Sequence, residues 1–429
     1  MKAYDLEFVE KMLTKKHAEI APPLQEGQEC WYLPSFGVYH PKKPGQIRVV
    51  FDSSAPYKGV SLNDVLLTGP DLNNTLLGVL MRFRKEPVAI TTDIQHMFHC
   101  FIVREDHRDF LRFLWFHNND PDSDIVDYRM CVHVFGNSPS PTVAIYGLRR
   151  AAKEEEKNFS SDVRRFVERE FYVDDALKSF PTEAEAISVL RRAQMMLAAS
   201  NLRLHKIASN RPAVLEAFPL EDRAKDIKDL NLLTDDVPLQ RSLGVSWNIA
   251  LDIFTFQAMD NNKPFTRRGV LSTVNSLYDP LGFLAPVTIQ GRLLLRDLTK
   301  QAEDWDSPLP GNREAEWTRW RDSLRDLQEL QIPRTYTSFS PSSTLLKELC
   351  VFADASTTAI AAVAYLKATT EEGQTEVGFV FGKAKLAPQP DLSIPRLELC
   401  AAVLAVEIAE LIVEEIWRST VSHTTQTAR

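Results

Sequence analysis

Nowhere in this 429-residue chain do 18 apolar residues run together, so no transmembrane helix and no membrane partner are expected. The first ten residues, Met1 to Glu10, are polar and charged and do not read as a secretory signal. Cysteine is sparse: Cys30, Cys100, Cys131, Cys350 and Cys400 are scattered without a CxxC pair. That spacing argues against a zinc site and a disulfide framework, and the thiols are expected to be reduced. Internal repeats and low-complexity tracts are absent. Net positive charge is missing too. The 50 Lys and Arg face 58 Asp and Glu, a formal charge of −8, which argues mildly against wholesale nucleic-acid binding.

What is present is ordinary for a folded chain, 44% hydrophobic and 25% charged. The length implies two to four domains. Charge is uneven. Residues 261–300 carry Lys263, Arg267, Arg268, Arg292, Arg296 and Lys300 against Asp279 and Asp297, a local excess of four positive charges. Such a surface is enough to track a phosphate backbone.

Along the chain, residues 1–30 read as a helical lead-in that Pro22-Pro23 ends. Two strands follow, Trp31-Tyr32-Leu33 and Ile47 to Asp52, around the basic turn His40 to Gly45. Residues 87–93 form a strand ending on Asp93. Phe110 to Phe116 and Tyr128 to Phe135 read as strands, and Pro141 to Lys157 as a helix. Thr182 and Glu185 have capping-box spacing. After them Ala186, Val189, Leu190, Ala193, Met196 and Leu197 recur at helical intervals. Strands are expected at Leu243-Gly244-Val245 and Ile253-Phe254. Residues 261–345 are helical and rich in Trp, and a new β pattern starts after Pro341. The layout is α+β.

The string Tyr172-Val173-Asp174-Asp175 carries the most information. Its flanks, Glu170-Phe171 and Ala176-Leu177, are strand-like, so the two aspartates sit at a hairpin tip. Paired carboxylates there concentrate charge that a divalent cation can neutralise. Asp93, at the end of another strand, would supply a third carboxylate if the two strands are sheet neighbours. Nucleotidyl transfer by two metals needs carboxylates that hold two ions about 4 Å apart. Mg²⁺ suits them, since it prefers oxygen ligands and keeps waters for exchange with phosphates.

With these residues in place, the chain resembles the reverse transcriptases of Bel/Pao-type LTR retrotransposons from about Trp31 to Glu410. Tyr172 to Asp175 resembles the family's YxDD box. Asp93-Ile94-Gln95-His96-Met97-Phe98 is similar to its first acidic motif, and Phe135 to Pro141 to its Gly-to-Ser-Pro motif. Arg48 to Asp52 resembles a fingers strand, Leu243 to Trp247 the primer grip, and Ser276 to Pro286 a stretch typical of these elements. Thr142 and the Gln95-His96 pair depart from relatives without removing a carboxylate.

The resemblance implies a right-hand polymerase: fingers and a ferredoxin-like palm over 31–260, a helical thumb or connection over 261–345, and a partial RNase H-like α/β domain over 346–429. It implies an RNA-directed DNA polymerase that extends a primer 3′-hydroxyl with dNTPs on an RNA or DNA template. Two Mg²⁺ or Mn²⁺ ions would be held by Asp93, Asp174 and Asp175. Nucleotide contacts would come from Arg48, Lys42 or Lys43, Phe98 as a gate against the 2′-hydroxyl, Gly136 and Lys206. Tyr172, Ser140, Pro141, Gly244 and Trp247 would face template and primer. Each has a plainer reading: a core Phe for Phe98, a solvated turn for the lysines, a turn glycine for Gly136, a hairpin aromatic for Tyr172.

In the last block, Asp354 and Glu398 match the first two of the four RNase H acids. For Glu398 the plainer reading is an acid favoured in a first helical turn. No later aspartate follows in Ser419 to Arg429, so no RNase H activity is expected from this chain alone. A protease Asp-Thr/Ser-Gly motif, a zinc knuckle and an integrase-like block are not found, and other polyprotein segments are expected as partners. The expected place is the cytoplasm, in a retroelement particle, with the nucleus as the alternative. The competing reading is a non-catalytic remnant that binds nucleic acid or only folds.

Overall fold

A computed structural model of the chain describes residues 2–39, 47–224, 229–231, 245–256, 263–299, 304–309, 311–340, 344–389 and 392–417. The architecture is mixed α/β and divides into two compact units. One comprises Met1–Asn74, Asp93–Ala176 and Val189–His205. The other comprises Thr75–Thr92, Leu177–Ser188 and Lys206–Arg429.

In the first unit, helix Lys2–Thr14 leads into β1 (Ala18–Ile20), so the lead-in is not helical throughout. β2 (Ser35–Tyr39) and β3 (Ile47–Phe51) form an antiparallel hairpin. The expected strand at 31–33 is displaced to 35–39. Trp31 and Leu33 instead exchange backbone hydrogen bonds with Asp109 and Arg112. β5 (Arg112–Phe116) and β6 (Ile125–Met130) make a three-stranded sheet in the order β1-β6-β5. Its core gathers Val9, Met12, Phe51, Leu111, Phe113, Tyr128 and Met130. Beside it Asp109, 7% exposed, accepts from both Arg112 and Arg129, themselves 1% and 7% exposed. Helix Ser140–Glu154 has Pro141 in its first turn, where a missing N–H costs nothing.

A four-stranded sheet has the order β7-β8-β4-β9, with β4 at Val88–Ile94, β7 at Phe171–Tyr172, β8 at Asp175–Phe180 and β9 at Leu204–Ser209. The Asp93, Asp175 and His205 ends of β4, β8 and β9 belong to the first unit. The 183–198 helix starts where the sequence placed it. The Thr182 hydroxyl accepts the Glu185 N–H at 3.2 Å, and Ala186, Leu190, Ala193, Met196 and Leu197 are fully enclosed.

In the second unit β10 (Asp229–Asn231), β11 (Val245–Asn248), β12 (Ile253–Phe256) and β13 (Gln331–Pro333) form an antiparallel meander. β14 (Leu346–Ala355), β15 (Ala359–Thr369) and β16 (Thr375–Leu386) form a second one. Burial alternates along β15: Ile360, Ala362, Ala364, Leu366 and Ala368 point inward. Helix Ile394–Ile412 packs on this sheet, burying Leu397, Ala401, Leu404, Ile408 and Ile412 along one stripe. Three antiparallel strands followed by a helix is the arrangement the sequence implied for this block.

Candidate functional site

β4 is buried along its whole length, and its last turn outward carries Asp93, 8% exposed. Two backbone hydrogen bonds fix the chain there. Ile94 N–H donates to the Asp174 carbonyl at 3.0 Å, and Gln95 N–H donates to the Arg203 carbonyl at 2.9 Å. The acidic strand end and the acidic hairpin tip are therefore direct neighbours, as the sequence required of them.

The hairpin is as tight as its length demands. Phe171 pairs with Ala176 and Tyr172 with Asp175, leaving Val173-Asp174 as the turn. Val173 takes a φ of 58°, a region that a β-branched residue normally avoids. The hairpin base is braced by Asn74, whose Nδ2 donates to the carbonyls of Phe171 (2.8 Å) and Glu168 (3.0 Å). Phe171 is enclosed with its ring edge-on to Phe166, while Tyr172 stays 37% exposed.

The imidazole of His205, on β9, donates from Nε2 to Asp93 Oδ1 at 2.9 Å. The donor is assigned to the nitrogen because a carboxylate only accepts. Nothing in the sequence singled out His205, which sits beside the expected Lys206. Lys206 itself is exposed, with φ at 52°, and belongs to the other unit.

The segment after Asp93 turns at His96, φ 53°, into a short 3-10 turn, Met97–Cys100. Phe98 is 6% exposed and meets Phe135 edge-on at 4.5 Å, so its ring is buried. His99 lies 5.0 Å from His17 and 6.1 Å from His96, ring to ring. Burial, then the neighbouring His17, His96 and Lys15, push its pKa down to about 3, so this imidazole is neutral.

Gly136 has φ 97°, and a Cβ there would stand 2.9 Å from the Phe51 carbonyl. The glycine is required by the close approach of its own chain to β3. Asn63 ties this loop down, donating to the Gly136 carbonyl at 2.8 Å and accepting from Ser138 N–H at 2.9 Å. Thr142, on the 140–154 helix, shares its hydroxyl proton between the Thr68 and Pro70 carbonyls.

Several expected contacts fall elsewhere. Trp247 is not at a primer surface. It is fully buried, edge-on to Phe83, with its indole N–H on Asp252 at 2.9 Å. Ser140 is 1% exposed and its hydroxyl donates to the Val134 carbonyl at 2.9 Å, so it secures the helix entry. Pro141 is half-buried beside it. Arg48 lies in β3 opposite Val38. Lys42, Lys43 and Gly244 lie outside the described residues. Asp354 and Glu398 are both exposed, on β14 and in the second turn of the 394–412 helix, so Glu398 is not the first-turn acid the sequence suggested. The basic stretch is partly neutralised: Arg268 pairs with Asp306, Arg296 with Asp297, and Arg267 lies over the Trp305 ring.

Among the described residues, no three His, Cys, Asp or Glu side chains are gathered closely enough to cage a metal ion. Mg²⁺ in phosphoryl-transfer sites is commonly held by one or two carboxylates plus the substrate's own phosphates. Asp93 and Asp174 are hard oxygen donors of the type such sites use, and a backbone hydrogen bond joins Ile94, next to Asp93, to the Asp174 carbonyl.

Residues 266–427 match the Pao retrotransposon-like RNaseH-like domain family. That match starts well before the β14–β16 block. Among solved structures, the fold is similar to that of the foamy viral protease-reverse transcriptase dRH in complex with ds DNA. The TM-score is 0.62 at 15% identity, over 95% of this chain. This chain spans 60% of the length of that one. No curated protein matches the sequence.

Proposed function

We propose that the chain is the polymerase portion of a Pao-type retrotransposon, an RNA-directed DNA polymerase that adds deoxynucleotides to a primer 3′-hydroxyl. The observation that carries this reading is the hydrogen-bonded meeting of the Asp93 strand end with the Asp174 hairpin tip. It occurs in a fold like that of a retroviral reverse transcriptase and ahead of an RNase H-like block. Divalent cations, when bound with the nucleotide, would supply neutralisation of phosphate charge and a more acidic 3′-hydroxyl.

In this reading Asp93 and Asp174 would hold the cations, and Asp175 would add charge from the exposed end of β8. Phe98, walled by Phe135, limits the space beside the sugar. Gly136 lets the nucleotide pass close to the backbone, and Tyr172 offers an exposed ring to the primer end. Arg48, with Lys42 or Lys43, would clamp the triphosphate, and Lys206 would approach the leaving pyrophosphate. Template, primer, dNTPs and further polyprotein segments are the partners.

Primer extension on a homopolymer template with Mg²⁺ or Mn²⁺ tests the reading. Extension is expected from the wild-type chain and its loss, by roughly a hundredfold to a thousandfold on the order of other electrostatic active-site deletions, from Asp174→Asn. Extension that survives this substitution would remove the site. The competing reading is a non-catalytic remnant that binds nucleic acid or only folds. Tight template–primer binding without any extension would establish it.

A further inference from the structure

We propose that the outward face of the 394–412 helix is a docking surface for a basic amphipathic α-helix. The proposal goes beyond the polymerase reading and does not depend on it. The 394–412 helix is apolar on two opposite sides. One side, Leu397, Ala401, Leu404, Ile408 and Ile412, is buried where the helix packs on β14 and β15. The other carries Leu399, Val403 and Val406, continued by Val413 in the turn that follows, and these are between 41% and 65% exposed. At 3.6 residues per turn Leu399 stands about 200° round the axis from Leu397, so the sheet does not reach it. A helix that is apolar all round belongs in a buried setting, yet the outer stripe of this one is open to water.

Spacing and charge define the occupant. Leu399, Val403, Val406, Glu410 and Val413 follow one another in steps of four and three residues, the alternation that makes a coiled-coil seam. A second helix can lay its own apolar stripe along this one at a shallow crossing angle. Toward the helix end Glu407, Glu410 and Glu414 are exposed on or beside the stripe, whereas Glu415 is turned inward to Arg82. The last turn of the helix holds no basic residue. Acids at a helix C-terminus oppose the helix's own dipole, so this arrangement costs local stability until a cation meets it. Lys or Arg flanking the partner's stripe supplies that cation, as charged flanks choose partners in coiled coils. A second copy of the helix brings only Arg396 with Glu398, or the same three acids, and matches the charge poorly. Nucleic acid, itself anionic, has the wrong sign.

Fluorescence anisotropy of labelled synthetic peptides, titrated with the full chain, tests this. The probe is a helix of about three heptads with a leucine stripe and lysine flanks. Its controls are a scrambled peptide of the same composition and a glutamate-flanked version. The lysine-flanked probe is expected to bind about tenfold tighter than either control, or better. Leu399→Gln combined with Val406→Gln removes the stripe, leaves the charge unchanged and should weaken the probe by about tenfold. Both positions are exposed, so the thermal midpoint of this variant should stay near that of wild type. Glu407→Lys, Glu410→Lys and Glu414→Lys together should reverse the preference toward the glutamate-flanked peptide, a change that misfolding cannot imitate. Equal binding of the lysine-flanked and scrambled peptides would overturn the proposal, since charge alone would then explain it. So would no binding, unchanged affinity in the double glutamine variant, or an unreversed preference in the triple lysine variant. A wild-type chain that sediments as a dimer, and as a monomer once Leu399 and Val406 are replaced, would assign the face to a second copy instead.

Discussion

Val173 and Gly136 meet left-handed backbone in opposite ways. Gly136, at φ 97° with a carbonyl 2.9 Å from where a Cβ would lie, has no alternative residue. Gly136→Ala should destabilise the chain by about 1–3 kcal/mol, read as a lower denaturant midpoint. An unchanged midpoint would mean that the loop relaxes freely. Val173 tolerates φ 58° at a cost of roughly 1–3 kcal/mol, and it does so between Tyr172 and the acidic pair. The turn is strained where it carries charge. Both positions were visible in the sequence as turn residues, but the glycine's reason was not. Its partner, the Phe51 carbonyl, lies far along the chain, and only folding brings it near. Trp247 shows the converse. Its motif pointed outward to a primer, yet an indole whose N–H reaches Asp252 and whose ring meets Phe83 is held in the core.

Among the elements, those with strong periodicity fell close to where the sequence put them. The 183–198 helix kept its Thr182 cap and its apolar stripe, since both are local properties. The strand expected at 31–33 moved because Pro34 cannot donate to a ladder and Trp31 and Leu33 found partners at Asp109 and Arg112. The turn ahead of the 285–299 helix is tied by a carboxylate that the sequence showed only as part of a family motif. Asp279 accepts from the N–H groups of Gly282, Phe283 and Leu284 at 3.0, 3.0 and 2.6 Å. Burial pushes its pKa from the ordinary 3.8 up to about 6, against the pull of those bonds. A raised folded-state pKa gives stability that is present below about 4 and lost as pH rises through about 6. Asp279→Asn should erase that segment of the pH–stability curve, measured as thermal midpoints from pH 4 to 7. An identical slope in the variant would assign it to another group.

For the molecule as a whole, buried charges are the feature that composition concealed. In the second unit Arg334 is fully enclosed. It pairs through two nitrogens with Asp252 and donates to the carbonyls of Phe83 and Glu86. Arg334→Met should cost about 3–5 kcal/mol, because Asp252 and those carbonyls lose their donor. Urea unfolding measures this, and a change below about 1 kcal/mol would show that water takes the place of the guanidinium. The same unit carries the RNase H-like block, with Asp354 and Glu398 exposed. Among the described residues no group of three acids gathers around them, so the RNA of a labelled RNA–DNA hybrid should stay intact with this chain in Mg²⁺. Cleavage that disappears in Asp354→Asn would show that the two suffice.

The sequence by itself determined the order of strands and helices, the reduced state expected of the thiols, and the placing of carboxylates at a strand end and a hairpin tip. These follow from short-range patterns: alternation, helical spacing, turn chemistry. Only the tertiary structure decided which distant groups meet those charges. His205 reaches Asp93 across 112 residues of chain, and Arg334 reaches Asp252 across 82. Periodicity states which face of an element avoids water. It does not state which partner will satisfy a buried polar atom, because that depends on the path of the whole chain through space.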